Sequence, residues 1–406
     1  MYRIDETKDR EKYILLIPAM LDFHFPLMKY AFYSKNYRPV ILENEDGIED
    51  VGLKYVNNDM CYPAILNVGQ MVAALESGEY DLTRTRLLMA TAGDACRGAN
   101  YIHALRLAVK RAGFTEVPAL NLNLKGIEKE QQLKLDPGMI WRAMVSVYYG
   151  DILMLLSNHI RPNECRKGET NAKYAYWLEK LSEDLKCGKH LSLGAMKRRF
   201  REIADDFATI EMRKERKQRI GIVSEIYTKY CHLGNWNLIE YLEENDCEAH
   251  VNGLSWYLMY YVDSHLLTEQ TILRPLYLLA QKMFGSLQKA MIDALKLHGF
   301  YTMEDFFTLK EQVRSYISMD YTIGDGWLIG AECAGHILEG CPKVMAVQSF
   351  GCLPLQICGR GLYPLIEREL AGQGHITYAE IDHSASKLNY YNRIQMLIHL
   401  REPHSP

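Results

Sequence analysis

The sequence predicts an α/β protein of two doubly wound parallel-sheet domains joined by a helical bridge. Three observations carry that expectation. Short apolar runs alternate with amphipathic stretches of helical length in both the early and the late part of the chain. Over 136–217 the alternation stops, and helical periodicity with many charges replaces it. At 406 residues and 48% hydrophobic content, the chain can bury about two or three domain cores.

In the first segment, 1–135, the run at 13–18 reads as a buried strand, 26–35 as a helix and 39–42 as a second strand. A helix over 63–77 stops at Gly78, and a third strand covers 86–92. A helix over 98–112 stops at Gly113 before a fourth strand at 117–122. Strands separated by helices need crossover connections, and crossovers make parallel sheets of the Rossmann or flavodoxin kind. The bridge, 136–217, reads as helices at 141–156 and 195–216. Its basic run Arg213, Lys214, Arg216, Lys217, Arg219 reads as a solvated helix end. The third segment, 218–406, repeats the alternation. Strands fall at 219–226, 248–252, 343–349 and 375–381, helices at 237–245, 362–371 and 386–399, and a helical insertion at 268–298, 303–318 and 325–339.

A net charge of -4 offers no field for a phosphate backbone, so no nucleic-acid partner is expected. No stretch approaches 18 uncharged apolar residues, and the first residues lack the apolar core of a signal peptide. The expectation is a cytoplasmic protein without a membrane partner. Its ten cysteines fall far below the density of a disulfide scaffold and include no C-x-x-C pair. There is no H-E-x-x-H, and no phosphate-binding loop with which the chain would hydrolyse ATP itself.

Three cysteines share a setting. Cys61, Cys96 and Cys352 each read as following an extended segment and preceding a helix. Loops at the carboxyl ends of parallel strands form the ligand crevice, so such cysteines can converge from far apart in sequence. Helix N-termini would favour the thiolate, the form that binds iron or zinc. Three thiolates fit a cluster with one open iron position, or a zinc ion whose last site takes substrate. Cys231 follows the first strand of the third segment and reads either as a further ligand or as a loop cysteine.

At these residues the chain resembles the iron-sulfur subunits of the 2-hydroxyacyl-CoA dehydratase and benzoyl-CoA reductase superfamily, closest to their activase-related, double-cubane-like branch. The likeness is carried by Asn57-Asn-Asp-Met-Cys-Tyr-Pro-Ala64, Cys96-Arg-Gly-Ala-Asn-Tyr101, Gly221-Ile-Val-Ser-Glu-Ile-Tyr227 and Gly324-Asp-Gly-Trp-Leu328. It continues in Gln348-Ser-Phe-Gly-Cys-Leu-Pro354, Gly359-Arg-Gly361, Ile381-Asp-His-Ser-Ala-Ser-Lys-Leu-Asn389 and Asn392-Arg-Ile394. The resemblance implies an oxygen-sensitive [4Fe-4S] cluster on Cys61, Cys96 and Cys352. The partners it implies are an ATP-dependent activator with its own cluster, and a homo- or hetero-dimer with a related subunit. The function it implies is low-potential electron transfer for reductive or dehydratase chemistry on an acyl-CoA or another small molecule. The alternatives are a non-catalytic electron relay in an activase complex, and a double-cubane [8Fe-9S] cluster drawing on Cys231, Cys333, Cys341 and Cys358. The family carries a histidine two residues beyond the proline, where this chain has Gln356.

Glu225, at the end of an apolar strand, is the candidate catalytic residue, to orient a ligand or move a proton; capping a loop is the other reading. Asn57, Asn58 and Asp59 serve the crevice or form a turn, and Arg97 steadies an anion or forms a surface pair. Gly359-Arg-Gly361 is a weak anion nest, and Asp382 with His383 is either a ligand contact or a helix cap.

Overall fold

The computed structural model describes residues 3–91, 96–122, 131–215, 217–268 and 273–401. Two four-stranded, all-parallel sheets organise it. The first contains β1 (Tyr13–Ile17), β2 (Tyr37–Ile41), β3 (Thr85–Ala90) and β4 (Ala119–Leu122), in the order β2-β1-β3-β4. The second contains β5 (Gln218–Val223), β6 (Cys247–Val251), β7 (Lys343–Ser349) and β8 (His375–Ile381), in the order β6-β5-β7-β8. Both are the doubly wound order of flavodoxin-like sheets, with helices on the faces.

Every residue of β6 and β7 is buried: β7 is an inner strand covered on both faces, and β6, although at the sheet edge, is covered by helices Pro137–Ile160 and Leu238–Glu244. In β1 the faces divide by parity. Leu16 joins the core beneath Tyr62–Glu76 and Tyr101–Arg111, whereas Leu15 and Ile17 share a core with Ile220 and Ile222 of β5. That shared core holds the two sheets together and brings their loops to one crevice.

Helices Pro137–Ile160, Glu169–Cys187 and Leu193–Phe207 lie between the sheets in the chain and pack with the insertion helices Leu254–Thr268 and Arg274–Lys296. One stretch, Pro137–Asn163, is long and apolar enough to cross a membrane by length and composition, although charges interrupt it, and 83% of its apolar window is buried inside the protein. Two of its three charged residues are fully buried and bonded: Arg142 Nε donates to Leu185 O, and Asp151 accepts from the Leu254 and Ser255 amides; the third, Arg161, pairs with Glu243 at its end.

Several elements differ from expectation. The helix expected at 26–35 is only Phe25–Met28 followed by a 3-10 turn, Lys29–Ala31. Helix Leu193–Phe207 ends nine residues short of Arg216, itself outside the described residues; the Arg213 amide instead bonds Asn163 O, so the basic run is a connection and not a helix end. An unexpected helix, Ile48–Tyr55, precedes Cys61.

Candidate functional site

The site lies at the carboxyl ends of β3, β5 and β7. In both sheets the strand order reverses next to the first strand, and the third strand's loop borders that switch point. Cys96 follows β3, Glu225 follows β5 and Cys352 follows β7. Cys61 departs from the expected setting: it follows helix Ile48–Tyr55 and a turn, and is the N-cap of Tyr62–Glu76, with Pro63 in the first helical turn. Cys96 precedes a 3-10 turn, Arg97–Asn100, and Cys352 a wide turn, Leu355–Arg360, closed by the Gly361 amide on Gln356 O.

The three cysteine loops meet. The Tyr62 amide donates to Phe350 O at 3.2 Å, tying the Cys61 loop to the Cys352 loop. Gly351 has φ +73, and a Cβ there would collide with the Arg97 guanidinium and stand 3.2 Å from Cys61 Cα, so the approach needs glycine. A Cβ on Gly324 would lie 3.8 Å from Cys96 Cβ and closer still to the Pro354 ring. Tyr101 OH is 2.9 Å from Cys61 Sγ, and the Gly98 amide donates to Cys96 Sγ at 3.1 Å.

The electrostatics tie the same groups together. Burial pushes the Cys61 thiol up, Glu225 adds to the rise, and the Tyr101 hydrogen bond and Arg97 oppose it. Burial pushes Cys352 well up, followed by the charges of Glu225, Asp325 and Cys61. Tyr101 is raised by burial, then by Cys61, Glu225 and Cys96. The expected thiolate-favouring helix ends are therefore overruled at Cys61 and Cys352. A helix terminus contributes about 0.3–1 kcal/mol, less than burial among carboxylates removes. Such thiols ionise when a metal takes the proton's place.

Glu225 caps helix Ile226–Tyr230. Its carboxylate accepts from the Tyr227 and Thr228 amides at 2.8 Å each, and Ser349 Oγ reaches it at 3.3 Å. It thus holds the β5 and β7 loops in place beside the thiols. Asp325, missed as a separate candidate although its motif stood out, is pushed up to about 8, first by burial and then by Glu225 and Glu332, with Lys229 opposing. Behind it Lys229 Nζ bonds both oxygens of Glu332 at 2.9 Å, and Asn252 Nδ2 bonds Oε1 at 3.2 Å, all buried. The sequence signal for Asp325 was an acid between two glycines. Nothing local marked Lys229 or Glu332.

Against protein-family models and curated proteins, the chain matches none. What the site can do rests on its own chemistry.

The remaining candidates resolve as follows. Asn57 Oδ1 accepts the Asp59 amide at 3.1 Å, a turn, and Asp59 O accepts from Arg97, whose guanidinium lies against the Cys352 loop. Arg360 stacks on Tyr378 at 4.7 Å and points away as a surface group. Asp382 accepts the Ser384 amide in a turn, and the cap of helix Lys387–His399 is instead Ser386, which accepts from the Asn389 amide. Cys231 is turned elsewhere: fully buried, its Sγ donates to Ala19 O at 3.6 Å and lies beside Asp22. Cys333 and Cys341 are fully buried, Cys333 in the helical core and Cys341 donating to Lys343 O; Cys358 is raised to about 11, first by burial and then by Asp325.

Among the described residues, the three crevice cysteines do not form a group tight enough to grip one ion; the groups that do are Asp22, Cys231, His232 and His159, Glu248, His250. In the second, Glu248 already takes His159 Nδ1 at 2.5 Å and Asn163 Nδ2 at 2.9 Å, with Arg219 at 3.7 Å. A guanidinium beside the carboxylate occupies the cation's role there.

Proposed function

We propose that Cys61, Cys96 and Cys352 hold a [4Fe-4S] cluster, and that the chain takes low-potential electrons from a separate ATP-dependent activator. The reaction served is reductive or dehydratase chemistry on an acyl-CoA or another small molecule, in the cytoplasm, in a dimer with itself or a related subunit. The observation that carries this reading is the meeting of three cysteine loops from distant parts of the chain at the carboxyl ends of two parallel sheets. The donor set fits the group. Thiolates that bind different irons of a cluster stand further apart than ligands sharing one ion, which favours a cluster over a single zinc. Cys231, Cys333 and Cys341 are bonded elsewhere or packed in the core, which leaves only Cys358, near Asp325, as an extra thiol and suits one cubane better than two.

When bound, such a cluster supplies one-electron transfer at low potential and an iron position open to substrate. The chain's own groups do the rest. Tyr101 and the Gly98 amide direct hydrogen bonds at two of the sulfurs, the contacts that tune a cluster's potential. Glu225, with both oxygens occupied by amides, positions the loops. Asp325 keeps its proton up to about pH 8 and is the carboxyl suited to deliver it.

Anaerobic purification with iron and sulfide counting tests the cluster: about four irons per chain are expected, and about eight would mean the double cubane. Cys61→Ser, Cys96→Ser and Cys352→Ser should each lose iron, while Cys165→Ser and Cys187→Ser keep it; full iron in any of the first three removes that ligand. Electron paramagnetic resonance with the activator, reductant and ATP tests the electron route. An equal reduced signal with a non-hydrolysable analogue would sink the ATP-gated step. Turnover of an acyl-CoA by the purified pair separates an enzyme from an electron relay.

A further inference from the structure

We propose that Asp22, Cys231 and His232 form a mononuclear zinc site, separate from the cysteine crevice, that ties the first sheet to the second, with Glu45 as the outer carboxylate orienting His232. The donor atoms of Asp22, Cys231 and His232 lie within 4.8 Å of one another. They come from two parts of the fold. Asp22 is on the loop after β1, while Cys231 and His232 form the turn between helices Ile226–Tyr230 and His232–Asn235. Backbone bonds already fix the junction: the Asp22 amide donates to Tyr230 O at 3.1 Å, and the His232 amide to Asp22 Oδ2 at 2.9 Å.

The imidazole is held at both ends. Nδ1 lies 3.0 Å from Asp22 Oδ2, and Nε2 lies 3.0 Å from Glu45 Oε1. With zinc bound, Nδ1 coordinates the ion and Nε2-H donates to Glu45, the carboxylate–histidine–metal arrangement that fixes tautomer and ring direction. One thiolate, one imidazole and one carboxylate make a donor set suited to zinc and poor for magnesium or calcium. Uptake displaces the Cys231 thiol proton and the proton on His232 Nδ1, both released to solvent. Asp22, His232 and Glu45 also line a cavity of about 560 Å³, together with Ala19, Glu43 and Gln70. A water or a small oxygen-donor ligand fits there.

The inference shares no residue with the proposed cluster, so the two can fail separately. The test is zinc and iron content of anaerobically purified full chain after zinc loading and dialysis, with zinc-edge X-ray absorption. One zinc per chain, with a sulfur among its nearest neighbours, is expected. Cys231→Ala and His232→Gln should lose the zinc and keep the iron. Glu45, 55% exposed, can be changed without disturbing the fold, and Glu45→Gln should bind zinc about 10–100-fold more weakly. No retained zinc, zinc indifferent to all three substitutions, or zinc with only oxygen and nitrogen neighbours would overturn the site. Iron lost in Cys231→Ala would do so as well, by assigning that thiol to the cluster.

Discussion

Asp325 is the residue whose charge state the site controls most. Gly326 beside it has φ +46 and packs so tightly that a Cβ would overlap Tyr321 O and the Tyr260 hydroxyl, so the loop has one conformation in which to present the acid. Its carboxyl moves from the usual 3.8 to about 8, through burial first and then the neighbouring carboxylates. The sign follows from linkage. A raised acid favours the folded state fully below 3.8, and that contribution is lost as pH rises through about 8. Asp325→Asn cannot ionise. It should therefore match the wild type in melting temperature at pH 4 and exceed it at pH 8.5, by on the order of 2–4 kcal/mol of stability for a partly buried group. A constant offset across that range would mean that Asp325 ionises as freely in the folded chain as in the unfolded one. The residue was visible as part of a motif, but its partners Lys229 and Glu332 were not. A lysine and a glutamate on amphipathic stretches look like surface groups until folding sets them 2.9 Å apart in the core.

At the scale of elements, the strands were legible and the short helices were not. The expected bounds of β7 and β8 match to the residue: β7 is an inner strand buried on both faces, and β8, at the sheet edge, buries alternate residues Thr377, Ala379 and Ile381. Helix Ile48–Tyr55 was missed because its eight residues include Gly52 and carry only a short apolar pattern. Its reason to exist is packing. A Cβ on Gly69 would fall on the Ile48 carbonyl and 2.8 Å from the Gly52 amide, and one on Gly52 would meet Ile65 O. These glycines let Ile48–Tyr55 lie against Tyr62–Glu76, and the turn between the two helices presents Cys61. Gly69→Ala must push the pair apart. It should cost about 1–3 kcal/mol of stability in denaturant unfolding and lower the iron content of anaerobic protein by moving Cys61. Loss of stability with full iron would show that the turn holds Cys61 without the helix pair.

For the whole molecule, the sequence carried the two sheets and the bridge but not how the sheets face each other. That arrangement depends on Leu15 and Ile17 meeting Ile220 and Ile222, a long-range pairing with no local signature. On the other side of the second sheet lie buried histidines whose cost appears in acid. Burial lowers His250 from 6.5 to about 4 and His336 to about 3, so both are neutral at pH 7. Burial alone would raise Glu248, but hydrogen bonds with His159 and His250 hold it below its usual range. A depressed histidine contributes stability that is present above 6.5 and lost as pH falls toward its folded value. For His250 that loss is on the order of 3 kcal/mol by pH 4. Glu248 adds a further loss once pH drops below 4.5. These groups sit between β6, helix Pro137–Ile160 and the Tyr301 segment, so charging them loosens the second sheet from its helical layer. Denaturant midpoints should fall steeply as pH goes from 6.5 to 4. His250→Asn, weaker at pH 7.5, should lose less than the wild type over that interval. Parallel pH profiles for the two proteins would place the acid sensitivity elsewhere and leave His250 as packing alone.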